Sequence, residues 1–74
     1  MEKYLNRSGN SPITHYQIND DNIIVEFKDN QTYTYSYGKA GESIVEQMKI
    51  KAIEGKGLCA FIHKYAKRLY DRAI

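Results

Sequence analysis

IIVEFKDNQTYTYSY, residues 23–37, contains the pattern that most clearly indicates the fold class. Apolar or aromatic side chains recur at every second position in two runs, residues 23–27 and 32–37, and four polar or charged residues separate these runs. A two-residue period places alternate side chains on opposite faces of a strand. The stretch therefore predicts two antiparallel strands with a shared apolar face, joined at the turn-forming pair Asp29-Asn30.

A third strand is predicted just before this hairpin. Thr14, Tyr16 and Ile18 share one face, and the polar turn at residues 19–22 ends the strand. Ile13 and Ile24 fall on the otherwise polar face. Three strands in a meander would then carry one apolar and aromatic face, which needs a cover on that side only.

Three tyrosines of the last strand lie on the apolar face in this pattern. Tyr33 and Tyr35 form a Tyr-x-Tyr motif, and we predict that both are structural core residues rather than exposed rings for stacking bases. Tyr37 is nearest the end of the strand, so it is the tyrosine expected to offer a ring for an aromatic contact.

The cover comes from the C-terminal half. Ser43 and Glu46 match a capping box, so a helix is predicted over residues 43–54, ended by Gly55 as C-cap. A second, longer helix follows, whose inward stripe is Leu58, Phe61, Ile62, Tyr65, Leu69 and Ala73. The predicted fold class is α+β: a three-stranded antiparallel β-meander covered on one face by two C-terminal helices.

Length and composition favour one small domain. With 74 residues, the chain has room for a single core, predicted over residues 11–74, after a flexible N-terminal arm at residues 1–10. The single cysteine excludes a disulfide within the chain and suits the cytoplasm. We expect no membrane association, since no apolar run approaches the roughly 18–20 residues that span a bilayer.

Charge is distributed unevenly along the chain. Residues 1–46 hold four Lys or Arg against seven Asp or Glu, and residues 47–74 hold seven against two. Lys64, Lys67 and Arg68 fall on the outer face of the second predicted helix, and Lys56 precedes its first turn, where backbone N–H groups favour an anion. These four residues are the predicted phosphate or nucleic-acid contacts; the alternative is a solvated basic face.

The residues suited to catalysis are Cys59, His63 and His15. Cys59 and His63 lie one helical turn apart, a spacing that can place an imidazole beside a thiol. Such an imidazole can activate the thiol as a nucleophile. No acid is placed to orient the imidazole and no glycine-rich oxyanion loop is present, so we predict that the protein is not an enzyme. The set is also too small for structural zinc, and no metal or cofactor is expected.

The order of motifs resembles that of a known family. Ser11-x-Ile13, Ile23-x-Val25-x-Phe27, Tyr33-x-Tyr35 and Gly55-x-x-Leu58-x-x-x-Ile62 are similar to the KTSC domain, named for the C-terminus of some lysyl-tRNA synthetases. The resemblance spans residues 11–65. It implies a small α+β domain, found alone in bacterial and phage proteins, for which RNA binding has been proposed and no catalysis is established.

The sequence thus predicts a non-enzymatic module that binds RNA or another polyanion through a basic C-terminal helix. Two alternatives remain open. One is a protein-interaction or self-assembling protein, since Ile50 and Ile53 could join copies into a homo-oligomer. Both lie off the apolar stripe of the first helix, which consists of Ile44, Val45, Met48 and Ala52. The other is a binder of a small anionic ligand such as a nucleotide, in a pocket floored by tyrosines and closed by Lys56.

Overall fold

The chain forms one antiparallel sheet with helices packed on one of its faces. A computed structural model describes residues 1–73, so Ile74, the last residue of the predicted domain, lies outside the described residues. The strands are β1 Glu2–Lys3, β2 Ile13–Ile18, β3 Asn22–Phe27, β4 Thr32–Ser36 and β5 Arg72–Ala73. The helices are α1 Tyr37–Ala40, α2 Glu42–Glu54 and α3 Leu58–Phe61, which continues directly into a π-helix at Ile62–Ala66.

The α+β class and the antiparallel sheet are confirmed, and the sheet has five strands in the order β1-β2-β3-β4-β5. The three predicted strands are β2, β3 and β4. Two short strands pair with their outer edges: Lys3 lies opposite His15, and Arg72 lies opposite Thr34. β1 and β5 form hydrogen bonds with backbone groups that β2 and β4 would otherwise leave unpaired at the edges of the sheet. Side-chain alternation does not predict strands as short as these.

The placement of Ile13 on the polar face is wrong. Ile13 pairs with Phe27 and His15 pairs with Glu26, so Thr14 is an extra residue, a β-bulge, within β2. The bulge shifts the alternation by one position. Ile13 therefore lies on the apolar face with Phe27 and is 2% exposed, while Ile24 remains on the open polar face.

The core lies between the apolar face of the sheet and the helices. Its buried members are Tyr4, Ile13, Ile23, Val25, Tyr35, Ala40, Val45, Met48, Ala52, Leu58, Phe61, Ile62 and Ala66. These thirteen side chains come from most of the elements and form a single hydrophobic core. One core is what a chain of this length has room for.

The connection from the sheet to α2 differs from the prediction in two ways. Tyr37 does not continue the strand but starts α1, because the Ser36 side chain accepts a hydrogen bond from the Lys39 N–H and caps this short helix. The capping box is also wrong: α2 begins at Glu42 after Gly41, with no side-chain cap. The other end of α2 is as predicted, since Gly55 is the C-cap in the left-handed conformation with φ of 79°.

The second helix is shorter than its predicted stripe requires. It ends at Ala66, and Ala73 lies in β5. In the π-helix each N–H reaches back five residues instead of four, which rotates Ala66 into the core and turns Tyr65 outward to 51% exposure. After the helix the chain returns to β4, where the Asp71 N–H donates to the Thr34 carbonyl at 2.7 Å.

Residues 1–10, predicted as an arm, run along the domain. Tyr4 is buried, and its hydroxyl accepts a hydrogen bond from the Leu58 N–H at 3.4 Å. Arg7 donates through its backbone N–H to the Gly55 carbonyl and through Nε to the Glu54 carbonyl, both at 2.7 Å. These contacts satisfy carbonyl groups that the end of α2 leaves free.

Candidate nucleic-acid interface

A groove of about 680 Å³ opens between the ends of β3 and β4 and the turn that follows the π-helix. Its floor and walls combine aromatic rings with charged side chains, and Pro12 and Ile62 complete the lining. The aromatic members are Phe27, Tyr33, Tyr35 and Tyr70, and the titratable or charged members are Lys28, Asp29, His63, Lys67 and Arg68.

The four rings of the groove contact one another edge to face. The ring centres of Phe27 and Tyr33 lie 5.4 Å apart at an interplanar angle of 80°, and those of Tyr33 and Tyr70 lie 5.0 Å apart at 76°. Tyr35 meets Tyr70 at 6.4 Å. Edge-to-face contact is an arrangement that aromatic pairs prefer, so the rings of the groove stabilise one another.

Burial separates the two tyrosines of the Tyr-x-Tyr motif. Tyr35 is 2% exposed, as the alternation predicts, and burial raises the pKa of its hydroxyl to about 12. Tyr33 is only partly buried and presents part of its ring to the groove. The motif therefore has one residue inside the core and one at its surface.

The charge of the groove is mainly positive. Lys28 enters from the β3–β4 turn, while Lys67 and Arg68 enter from the turn after the π-helix. All three are exposed, and Asp29 is the acidic residue among the lining side chains. Its carboxylate accepts a hydrogen bond from the Gln31 N–H at 3.0 Å, within the turn. Cations from two distant parts of the sequence thus meet at one opening.

The four predicted basic residues fall in different places. Lys67 and Arg68 line the groove, but they belong to the turn after the helix rather than to a helical face. Lys64 lies outside it, with Nζ 5.3 Å from the centre of the Tyr65 ring. Lys56 is exposed in the turn between α2 and α3 and does not line the groove, so it does not close the tyrosine-floored pocket.

The start of α3 offers less to an anion than the sequence predicts. The Leu58 N–H, next but one to Lys56, already donates to the Tyr4 hydroxyl. Burial raises the pKa of that hydroxyl, so it stays protonated and neutral. An anion beside Lys56 would therefore compete with the arm for this donor.

Tyr37 lies away from the groove, in a cluster with Glu46 and Lys49. Its hydroxyl donates to the Glu46 carboxylate, and this bond raises the pKa of Tyr37 and lowers that of Glu46. Lys49 Nζ lies 2.9 Å from Glu46 Oε2 and 5.3 Å from the centre of the Tyr37 ring. The ring predicted as an aromatic contact is thus held by its own neighbours.

The catalytic candidates are divided by the sheet. His15 lies on the open polar face, with Nδ1 3.2 Å from Glu26 Oε1 though not aligned for a hydrogen bond. Cys59 and His63 lie on the helical side, where they line a second groove of about 450 Å³ with Tyr4. Burial raises the pKa of the Cys59 thiol, which disfavours the thiolate that a nucleophile requires.

Within residues 1–73, no group of three or more His, Cys, Asp or Glu side chains is arranged to hold a metal ion. None of the helices in this range is long and apolar enough to cross a bilayer. Comparisons with protein-family models, curated proteins and solved structures found no match to the chain.

The groove also contains Phe27, Lys28 and Tyr70, which the sequence pattern did not predict as site residues. Tyr70 follows the predicted helix stripe by one position, so its return to the sheet beside Tyr33 could not be read from helical spacing. Lys28 had a visible signal, because it begins the charged turn after β3. Only the fold brings this turn next to Lys67 and Arg68.

Proposed function

We propose that the chain is a non-enzymatic nucleic-acid-binding module, with RNA as its target and with Lys67 and Arg68 as its principal phosphate contacts. The observation that carries this proposal is the convergence of these two residues and Lys28 on a groove whose walls are aromatic rings. Basic side chains attract the phosphate backbone, and aromatic rings accept unpaired bases. Lys56 and Lys64, outside the groove, would be peripheral contacts.

The KTSC resemblance agrees with this proposal and remains a prediction from the residues. The unit that we propose as KTSC-like consists of the three longer strands, β2 to β4, with the helical cover on one face. A cytoplasmic location is proposed as well, because the chain carries one cysteine and this is free.

The test measures binding of a fluorescein-labelled single-stranded RNA by anisotropy across a series of salt concentrations. The double variant Lys67→Gln/Arg68→Gln should weaken binding and flatten the plot of log Kd against log salt by about 1.4, at roughly 0.7 per lost phosphate contact on a single strand. Lys3→Gln/Lys39→Gln is the matched control, since it removes the same charge from exposed sites away from the groove. Absence of binding by the wild type at low salt would contradict the proposal, as would equal effects of the two variants.

A second candidate function is self-association through α2. Ile50 and Ile53 are 56% and 62% exposed on this helix, and Leu5, 59% exposed, lies against its C-terminal glycine. Large apolar side chains this open to water favour a contact with another chain.

A further inference from the structure

The groove contains two kinds of surface, and they lie side by side. Tyr33 and Tyr70, whose rings contact each other, are both partly exposed and provide an aromatic surface inside the groove. Lys67 and Arg68 precede Tyr70 by three and two residues and provide positive charge in the same groove. A polyanion that carried only charge would leave the aromatic surface unused.

A nucleotide with an unpaired base is complementary to both surfaces of the groove, the aromatic one and the basic one. Its base has a flat face that stacks on aromatic rings, and its phosphate pairs with Lys or Arg. The volume of about 680 Å³ is within the range of roughly 300–1,000 Å³ common for small-molecule sites. In a duplex the faces of the bases are stacked on their neighbours, so they are not free to contact these rings.

We propose that the groove binds one unpaired nucleotide of a single strand, with its base against Tyr33 and Tyr70 and its phosphate at Lys67 and Arg68. This inference rests on the proposed function and narrows its target to single-stranded nucleic acid. Asp29, the acidic residue of the lining, is a hydrogen-bond acceptor at the β3–β4 turn and suits the amino group of a base rather than a phosphate.

The experiment compares four probes at one low salt concentration: a single-stranded RNA of ten nucleotides, an abasic strand with equal phosphates, a duplex of the same length, and a mononucleotide. The single strand should bind about tenfold or more tightly than the abasic strand, the gain expected from stacking one base. The duplex carries twice as many phosphates, but it should still bind more weakly than the intact single strand, because its base faces are stacked on their neighbours. Since this comparison needs only the wild-type protein, it does not depend on the folding of any variant.

Variants then locate the base. Tyr70→Leu keeps apolar volume but removes a ring, and it should abolish the preference for the intact strand while leaving the salt dependence unchanged. Tyr65→Leu is the matched control, because Tyr65 is an exposed tyrosine five residues earlier in the chain that does not line the groove. If Tyr70→Leu lowers the melting temperature, Tyr33→Leu provides the same test, because it removes the other ring of the pair, which lies on β4.

The outcomes separate the two proposals. Equal binding of the intact and abasic strands would overturn the nucleotide inference and leave phosphate binding standing. Failure of both strands to bind would overturn the proposed function itself. A mononucleotide that binds as tightly as the ten-nucleotide strand would overturn the assignment to single strands, because the groove would then be a site for a free nucleotide.

Discussion

At the scale of single residues, Gly55 meets two constraints at once. Its φ of 79° is in the left-handed region, and a Cβ built on it would lie 2.5 Å from the Cβ of Leu5. Gly57 has the same φ but no heavy atom within 4 Å of the corresponding position. The two glycines therefore separate the effect of backbone conformation from the effect of close packing.

We predict that Gly57→Ala destabilises the protein by about 1–2 kcal/mol, the usual effect of the left-handed conformation on a residue with a Cβ. Gly55→Ala should reduce the free energy of unfolding by about 1–3 kcal/mol more, because the arm must also move away. Urea unfolding of both variants measures the difference. Equal losses in the two variants would mean that Leu5 does not pack closely on Gly55.

Tyr35 gives a prediction about alkaline pH. Burial raises its pKa to about 12 from an ordinary value of 10.0, so between these values the folded state keeps a proton that the unfolded state has lost. Stability should therefore fall as the pH rises from 10 to 12, by about 1.4 kcal/mol per pH unit from this group. Tyr35→Phe should flatten that decline in urea unfolding, whereas Tyr65→Phe, at an exposed site, should not.

At the scale of elements, one polar cluster joins α1, α2 and the β2–β3 turn. The Tyr37 hydroxyl donates to Glu46, and Lys49 bridges from Glu46 to the backbone carbonyl of Asp20 at 3.0 Å. The hydrogen bond from Tyr37, helped by Lys49, lowers the pKa of Glu46. The ionised carboxylate therefore holds three elements together.

We predict that this cluster weakens in acid. Because the pKa of Glu46 is lower in the folded state, its contribution is complete above the ordinary value of 4.5 and is lost as the pH falls through the folded value. Glu46→Gln should make the urea midpoint less sensitive to pH between 6 and 3. Glu42→Gln, an exposed glutamate of the same helix, is the control. An unchanged acid dependence in Glu46→Gln would contradict the role of the cluster.

The elements that could be predicted are those whose side chains carry their own periodicity. Alternation located β2, β3 and β4. Helical spacing located the inward face of α2, predicted as Ile44, Val45, Met48 and Ala52, of which Ile44 is only partly buried. The bulge at Thr14 and the π-helix could not be predicted, since each inserts one residue into a regular pattern. Tertiary contacts, not the local sequence pattern, determine where such an insertion falls. Half of the basic candidates, Lys67 and Arg68, proved to line a groove. The rest of that groove depends on how the chain returns to β4.

At the scale of the whole molecule, the outer face of α2 has no cover within residues 1–73. Ile50 and Ile53 are more than half exposed there, and a small core gains from burying such side chains between chains. We predict that the protein forms a dimer at high concentration and that Ile53→Glu yields a monomer, because the interface would bury an unpaired charge.

Light scattering coupled to size exclusion measures the mass of each species. Gln47→Glu is the matched control, since it adds the same charge at another exposed position of α2. It should leave the dimer intact. A monomeric wild type across the full concentration range would remove this prediction.

The order of the strands in the sheet has a consequence for how the protein folds. Sheet order follows chain order, so the β2–β3 and β3–β4 hairpins close short loops and can form early. Only the docking of β5 on β4 must enclose the helices, as in the bond from the Ser36 N–H to Asp71, 35 residues away. Tyr70 arrives with that late step. During synthesis, then, the chain can complete most of its sheet while the groove is still missing, and the groove forms only after Tyr70 has left the ribosome.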